Sequence, residues 1–303
     1  MGEPLKFKWR VHLAKRVAFL LLGTAMFVGS YGLVMLGLTS LLTALNAGPV
    51  GSQLANSVPT IHRAMCLRMP IDWAIYTPGR LVSRVIGNPL YALVFPLIAL
   101  SFFLGPLFCG WLCPAGLTEH LSRLIPSKLK FDLTGKVDPA PLRYGFLLGF
   151  IFVAFPGFRG TLGSICCSYC NWTWTENVWK AVFGNFEGFI GWTSAGLLTF
   201  LLWFLVLGIF MKGGRGWCIF LCPAGALMNL AHYLGLRLPF NRRVKVDREK
   251  CTLCGECVKT CPTLALTITS HSEKKLNINY HVCNVCMDCI AACPVEALSY
   301  GRK

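Results

Sequence analysis

Near the C-terminal end, eight cysteines fall in two identical patterns. They are Cys251-x2-Cys254-x2-Cys257-x3-Cys261-Pro262 and, 32 residues on, Cys283-x2-Cys286-x2-Cys289-x3-Cys293-Pro294. The repeat constrains the fold more than any other feature, because thiols at these offsets converge on bound iron. Three thiolates of such a run hold one [4Fe-4S] cluster, and the fourth, before proline, crosses to the other cluster. The expected ligand sets are therefore Cys251, Cys254, Cys257 and Cys293 for one cluster, and Cys283, Cys286, Cys289 and Cys261 for the second. The runs also end alike, in Thr263-Leu264-Ala265-Leu266 and Val295-Glu296-Ala297-Leu298. Zinc knuckles built from C-x2-C pairs are the plain competitor, but zinc has no use for a repeated third cysteine followed by x3-C-P. A disulfide framework fits less well, since close runs of thiols in one small domain suit clusters and a reducing compartment.

The rest of the chain is apolar. Over 303 residues the charged fraction is 14%, the hydrophobic fraction 54% and the mean hydropathy +0.56, far from an ordinary soluble domain. Four stretches, 17–38, 90–108, 142–158 and 194–211, approach the roughly 17 to 25 apolar residues that a membrane helix needs. The third is short and carries Pro156. The fold expected on this ground is a membrane all-α protein: a four-helix transmembrane bundle with an internal pseudo-repeat over 1–240, followed by a small α+β two-cluster bacterial ferredoxin domain over 241–303.

Lys6, Lys8, Arg10, Lys15 and Arg16 precede the first stretch, whose length exceeds the roughly 7 to 15 apolar residues of a signal peptide, so it reads as an uncleaved anchor. Basic residues cluster after the second stretch (Arg123, Lys128, Lys130, Lys136, Arg143) and after the fourth (Lys212, Arg215, Arg237, Arg242, Arg243, Lys245). The 46–88 loop, with Arg63, Arg68, Arg80 and Arg84, is the dissenting count. The positive-inside rule then predicts a multi-pass protein of the bacterial inner membrane with both termini cytoplasmic. A net charge of +16 needs no nucleic acid on this reading; the expected partner of the basic loops is anionic membrane lipid.

Eight cysteines remain. Phe108-Cys109-Gly110-Trp111-Leu112-Cys113-Pro114-Ala115-Gly116 and Trp217-Cys218-Ile219-Phe220-Leu221-Cys222-Pro223-Ala224-Gly225 are repeats, identical at 7 of 14 positions between 108–121 and 217–230. An x3 spacing sets two thiols one helical turn apart, and the following proline suits the opening of a new helix whose dipole favours thiolate. Cys109, Cys113, Cys218 and Cys222 are thus candidates for a further iron–sulfur centre or a redox-active dithiol, against the plainer reading of cysteine as a small packed hydrophobe. Cys66, Cys166, Cys167 and Cys170 share the loops expected outside, where a fourth cluster, disulfides and structural thiols all stand as readings. The expected cofactors are two [4Fe-4S] clusters and one or two further iron–sulfur centres. No C-x-x-C-H occurs and no histidine lies within the four apolar stretches, so neither a c-type haem nor a bis-histidine haem is expected.

The paired C-x3-C-P motifs together with the double ferredoxin run resemble the NapH/NosR/MauN group of iron–sulfur proteins, most closely the NapH-type quinol dehydrogenase subunit. The likeness runs from about residue 15 to 300 and rests on Cys109, Cys113, Cys218, Cys222 and the eight tail cysteines. It implies quinol oxidation within a hetero-oligomeric complex, drawing on the quinone pool and passing electrons through iron–sulfur or cytochrome subunits to a periplasmic reductase. A quinone site needs a polar group that exchanges protons. Glu119 and His120, which the second repeat replaces by Met228 and Asn229, are the candidates, with a solvated loop pair as the commoner explanation. Two alternatives share the architecture: a metal-reducing assembly factor for a respiratory oxidase, and a coupling subunit of an ion-pumping redox complex. A long copper-binding domain would favour the first and acidic residues within the apolar stretches the second, and the sequence offers neither.

Overall fold

The computed structural model describes residues 3–44, 73–87, 93–152, 198, 200–269 and 274–302. The chain forms two compact units, one of Met1–Leu21, Leu97–Leu147 and Trp203–Lys303, the other of Leu22–Pro96 and Leu148–Leu202. The second includes helix α2 (Pro78–Gly87) and the later part of α1 (Glu3–Ala44). The two C-x3-C-P motifs and the eight tail cysteines belong to the first.

That unit is built from the start of α1, most of α3 (Val94–Leu104), α4 (Leu107–Trp111), α5 (Leu117–Leu124), α6 (Pro139–Phe152), a π-helical segment (Phe200–Phe210), α7 (Gly216–Phe220) and α8 (Pro223–Gly235), followed by the tail. In the tail, β1 (Arg242–Val246) pairs antiparallel with β4 (Leu298–Arg302), Arg242 opposite Arg302 and Val246 opposite Leu298. Between them, β2 (Leu266–Thr269) pairs antiparallel with β3 (Lys275–Ile278), and the short helices α9 (Glu256–Thr260) and α10 (Asp288–Ala291) lie within the two cysteine runs, each carrying its run's third cysteine. Val244, Leu264, Ala265, Leu266, Leu276, Val282, Ala297 and Leu298 close a small core beneath the strands.

The two halves of the tail are copies down to their backbone strain. Leu253 and Val285, each just before the second cysteine of its run, and Gly255 and Met287, just after it, all have positive φ, as do Leu264 and Glu296, each three residues past the cysteine that precedes proline. Non-glycine residues pay about 1–2 kcal/mol for this conformation, and it persists where a site dictates the backbone.

The C-x3-C-P motifs are copies as well. α4 and α7 are five residues each. Both end with two consecutive N–H groups on one carbonyl, Leu112 and Cys113 on Phe108 O, and Leu221 and Cys222 on Trp217 O. Cys113 and Cys222 then adopt the extended conformation a following proline imposes, before a 3-10 turn over Pro114–Gly116 in one case and α8 in the other.

The four-helix transmembrane bundle is not what these residues form. Among the described residues no helix is long and apolar enough to cross a membrane, and the multi-pass inner-membrane placement with cytoplasmic termini falls with it. Average hydropathy hid the interruptions. The second apolar stretch breaks where Gly105, at φ 74°, and Pro106 stop α3 after 11 residues, against roughly 20 needed. The stretches at 142–158 and 194–211 yield a described helix of 14 residues and a π-helical segment of 11. α1 is 42 residues long, but residues 5–25, the part whose side chains are described, carry Lys6, Lys8, Arg10, Lys15 and Arg16, the last fully buried in an ion-pair network.

Candidate iron–sulfur centres

The tail cysteines gather into two apolar cavities. One, of about 340 Å³, is lined by Cys251, Cys254, Cys257 and Cys293; the other, of the same size, by Cys261, Cys283, Cys286 and Cys289. Each draws its fourth thiol from the opposite run, because α9 and α10 turn each chain away after three cysteines and the prolines redirect it. Hydrogen bonding repeats too: Ala265 N–H donates to Cys261 Sγ and Ala297 N–H to Cys293 Sγ, both at 3.3 Å. Bonds of this kind to cluster-bound sulfur are one of the levers that set reduction potential.

Burial pushes these thiols up, Cys257 to about 11 and Cys283 to about 12, and Cys286 and Cys289 further. They need a bound cation's charge to be thiolates. Among the described residues no three His, Cys, Asp or Glu side chains are arranged to hold a single metal ion. Four thiols to each cavity suit a four-iron cluster.

Cys109, Cys113, Cys218 and Cys222 are likewise close enough to perturb one another. Burial raises Cys109 to about 12, with Cys222 and Cys218 adding to it and Arg143 and Arg215 opposing; burial drives Cys113 and Cys222 higher still. Cys109 Sγ lies 3.5 Å from Met228 Sδ, and Cys222 Sγ caps α8 by accepting from Gly225 N–H at 3.3 Å. Arg215 donates to Cys109 O at 2.6 Å and Arg143 to His281 O at 2.8 Å. Arg143 Nε and Arg215 Nη2 are buried without a hydrogen-bond partner among the described residues. Two buried guanidinium groups with spare donors beside four thiols suit an anionic cluster.

The inner quartet and the second tail cavity abut. Gly110, next to Cys109, packs so tightly that a Cβ there would sit 3.2 Å from Cys286 Cα and closer still to Asn284 O. Trp111 Nε1 donates to Val285 O at 3.1 Å, and Asn229 Nδ2 to Tyr280 O and Cys283 O at 2.8 and 2.7 Å.

Glu119 has a different place from the one expected. It is 1% exposed, with Arg16 bidentate upon it at 2.7 and 2.6 Å, Arg123 at 2.6 Å and Arg215 at 3.0 Å. Arg16 and Arg123 also reach Asp288 at 2.6 Å, and His12 lies 2.9 Å from it. Burial alone would raise the carboxyl's pKa, but Arg16, Arg215 and Arg123 outweigh it and hold Glu119 well below the usual carboxylate range. A group so held exchanges no proton near neutrality. Burial brings His120 down to about 4, and its Nε2 is without a hydrogen-bond partner among the described residues. Glu119 thus ties Arg16, Arg123 and Arg215 together. Cys66, Cys166, Cys167 and Cys170 lie outside the described residues.

Sequence reasoning missed Arg16, Arg143, Arg215, Asp288 and Gly110. The signal for Gly110 was legible in the repeats: its counterpart is Ile219, buried at 1%, so the glycine marks the half whose backbone is approached by another segment.

The comparisons with known proteins agree with this chemistry. A 4Fe-4S dicluster domain matches residues 250–297, and a 4Fe-4S binding domain matches 89–132 and 195–244, spanning both C-x3-C-P motifs. The chain therefore carries 4Fe-4S-binding domains of ferredoxin type. It is similar to the ferredoxin-type protein NapH of Haemophilus influenzae, at 28% identity over 64% of this chain and 61% of the relative. It is similar also to the methylamine utilization ferredoxin-type protein MauN of Methylorubrum extorquens, at 30% over 52% and 47%, and to the putative electron transport protein YccM of Escherichia coli, at 29% over 64% and 51%. It is a homologue of the NapH/MauN-type ferredoxin proteins, and it spans between about half and three fifths of the length of these relatives. No solved structure matches the chain.

Proposed function

We propose that the chain is a relay subunit that takes electrons from quinol and hands them singly to iron–sulfur or cytochrome partners, using three cysteine quartets in sequence. The observation that carries this reading is the packing of Gly110, the neighbour of Cys109, directly on the Cys286 backbone. Cys109, Cys113, Cys218 and Cys222 would hold the receiving centre, Cys261, Cys283, Cys286 and Cys289 the middle one, and Cys251, Cys254, Cys257 and Cys293 the last. Each [4Fe-4S] cluster, when bound, supplies a site that gains and loses one electron without breaking a bond. The protein's own part is to space the thiols, to keep water out of the apolar cavities, and to set charge around them through Arg143, Arg215 and Arg16.

The test uses Cys113→Ser and Cys222→Ser. With a water-soluble quinol as donor, both variants are expected to lose reduction of the tail clusters, read by EPR, while dithionite still reduces them in full. Quinol-driven reduction at the wild-type rate in both variants would return the inner cysteines to a packing role and remove quinol entry from the account.

A further inference from the structure

A cavity of about 530 Å³ opens beside the tail and belongs to none of the three quartets. Arg123, Lys130, Lys212 and Lys259 line it, together with Trp9 and Pro262. Arg123 is held by Glu119 and Asp288 at 2.6 Å each, and Lys212 engages Asp132 at 2.6 Å, so Lys130 and Lys259 are the less committed cations of the lining. Lys259 meets Glu256 at 2.8 Å in an exposed pair of the kind worth little. Lys130 has no carboxylate partner among the described residues, and burial, then Arg123, lowers its proton affinity, as crowded like charges do. Arg123 also lies over the Trp9 ring, 5.1 Å from its centre.

One edge of the cavity is formed by the chain neighbours of Cys261, a member of the second ligand set. Thr260 and Pro262, which flank Cys261 in the chain, both line it, and Gly213, at φ 90°, is pressed against Pro262 O so closely that no Cβ could stand there. An occupant therefore comes within one residue of a thiol of the middle quartet.

We propose that this cavity is the docking site for an acidic protein redox partner, whose carboxylates enter among Arg123, Lys130, Lys212 and Lys259 while one electron crosses at the Thr260–Pro262 edge. A protein fits better than a small molecule. Small-molecule sites are lined mainly by apolar and aromatic groups, whereas here only Trp9 and Pro262 are of that kind. Charge complementarity of this sort chiefly governs encounter rate and choice of partner, and the chain's net charge of +16 favours an acidic one. The inference rests on the electron-transfer reading above.

Two haem proteins of opposite charge serve as probes: acidic cytochrome b5 and basic cytochrome c. Each takes one electron from the reduced chain, its iron passing from Fe(III) to Fe(II) with no bond or proton exchanged. Stopped-flow rates at rising ionic strength, and calorimetric affinity for the oxidised probes, are compared for the cluster-loaded wild type and for Lys130→Glu/Lys259→Glu, with Lys130→Gln/Lys259→Gln as a milder pair. Steering by complementary charge is worth about tenfold or more in rate. Cytochrome b5 should accordingly be reduced at least about tenfold more slowly by the charge-reversed variant, and progressively more slowly by wild type as salt is added. Cytochrome c should be indifferent to the variants or faster with them. Binding of cytochrome b5 that the variants lose, without any reduction by wild type, would sustain the docking surface and overturn electron transfer. Affinity and rate for cytochrome b5 unchanged in both variants would overturn the docking surface, whatever the absolute rates.

Discussion

Glu119 shows how one buried carboxylate ties three separate stretches of chain together. Arg16 comes from α1, Arg123 from its own helix and Arg215 from the residue before α7, and the first two also hold Asp288 at the mouth of α10. Replacing both partners of a buried ion pair can be neutral, but removing one leaves an uncompensated charge, at about 3–5 kcal/mol. Glu119→Gln is expected to lose that much in denaturant unfolding near neutral pH. Because the folded-state pKa is depressed, the carboxylate's contribution is complete above the ordinary value of about 4.3 and fades as pH falls below it. The difference between variant and wild type should therefore shrink below about pH 4. A variant as stable as wild type at pH 7, or a difference that grows in acid, would contradict this network. None of it was legible beforehand: a Glu-His dipeptide after a cysteine motif looks the same whether it faces a substrate or three arginines from distant segments.

At the scale of elements, the two repeats explain why four short helices suffice to aim twelve thiols. α4 and α7 end on paired N–H bonds to one carbonyl, and α9 and α10 each follow residues of positive φ, so each turn is fixed by local bonding and not by a large core. Periodic spacing made these elements readable, since C-x3-C-P and C-x2-C-x2-C-x3-C-P leave few ways to converge. The contact between elements is set by Gly110. Gly110→Ala pushes α4 away from the Cys286 loop, where backbone, not a flexible side chain, is the obstacle. We expect the three clusters to assemble in this variant while the magnetic interaction between the inner and middle centres, seen in EPR of the reduced protein, weakens and electron passage between them slows. An unchanged spectrum and rate would show that the junction lies elsewhere.

For the molecule as a whole, what was readable was chemistry, and what was misread was the medium. The cysteine offsets report local ligand geometry, which survives any tertiary arrangement, and the tail's quartets gather around two cavities as crossed sets. Hydropathy averaged over windows of about 20 residues reports only composition. It passed over Gly105-Pro106, which ends α3, and Arg16, counted among the basic residues ahead of the first apolar stretch, is wholly buried among carboxylates. Long apolar stretches therefore predicted a four-span bundle, whereas no described helix meets the requirement for crossing. The same averaging assigned +16 to lipid, while part of that charge is spent within the protein on Glu119 and Asp288 and part lines the cavity beside Cys261.

The central claim is that three quartets of this chain, two in the tail and one from the C-x3-C-P pair, each hold a four-iron cluster. Iron and acid-labile sulfide, counted per chain on anaerobically reconstituted full-length protein, test it most directly. Four of each per cluster gives about 12 irons and 12 sulfides or more. A count near 8 or below, or zinc in place of iron, would contradict it.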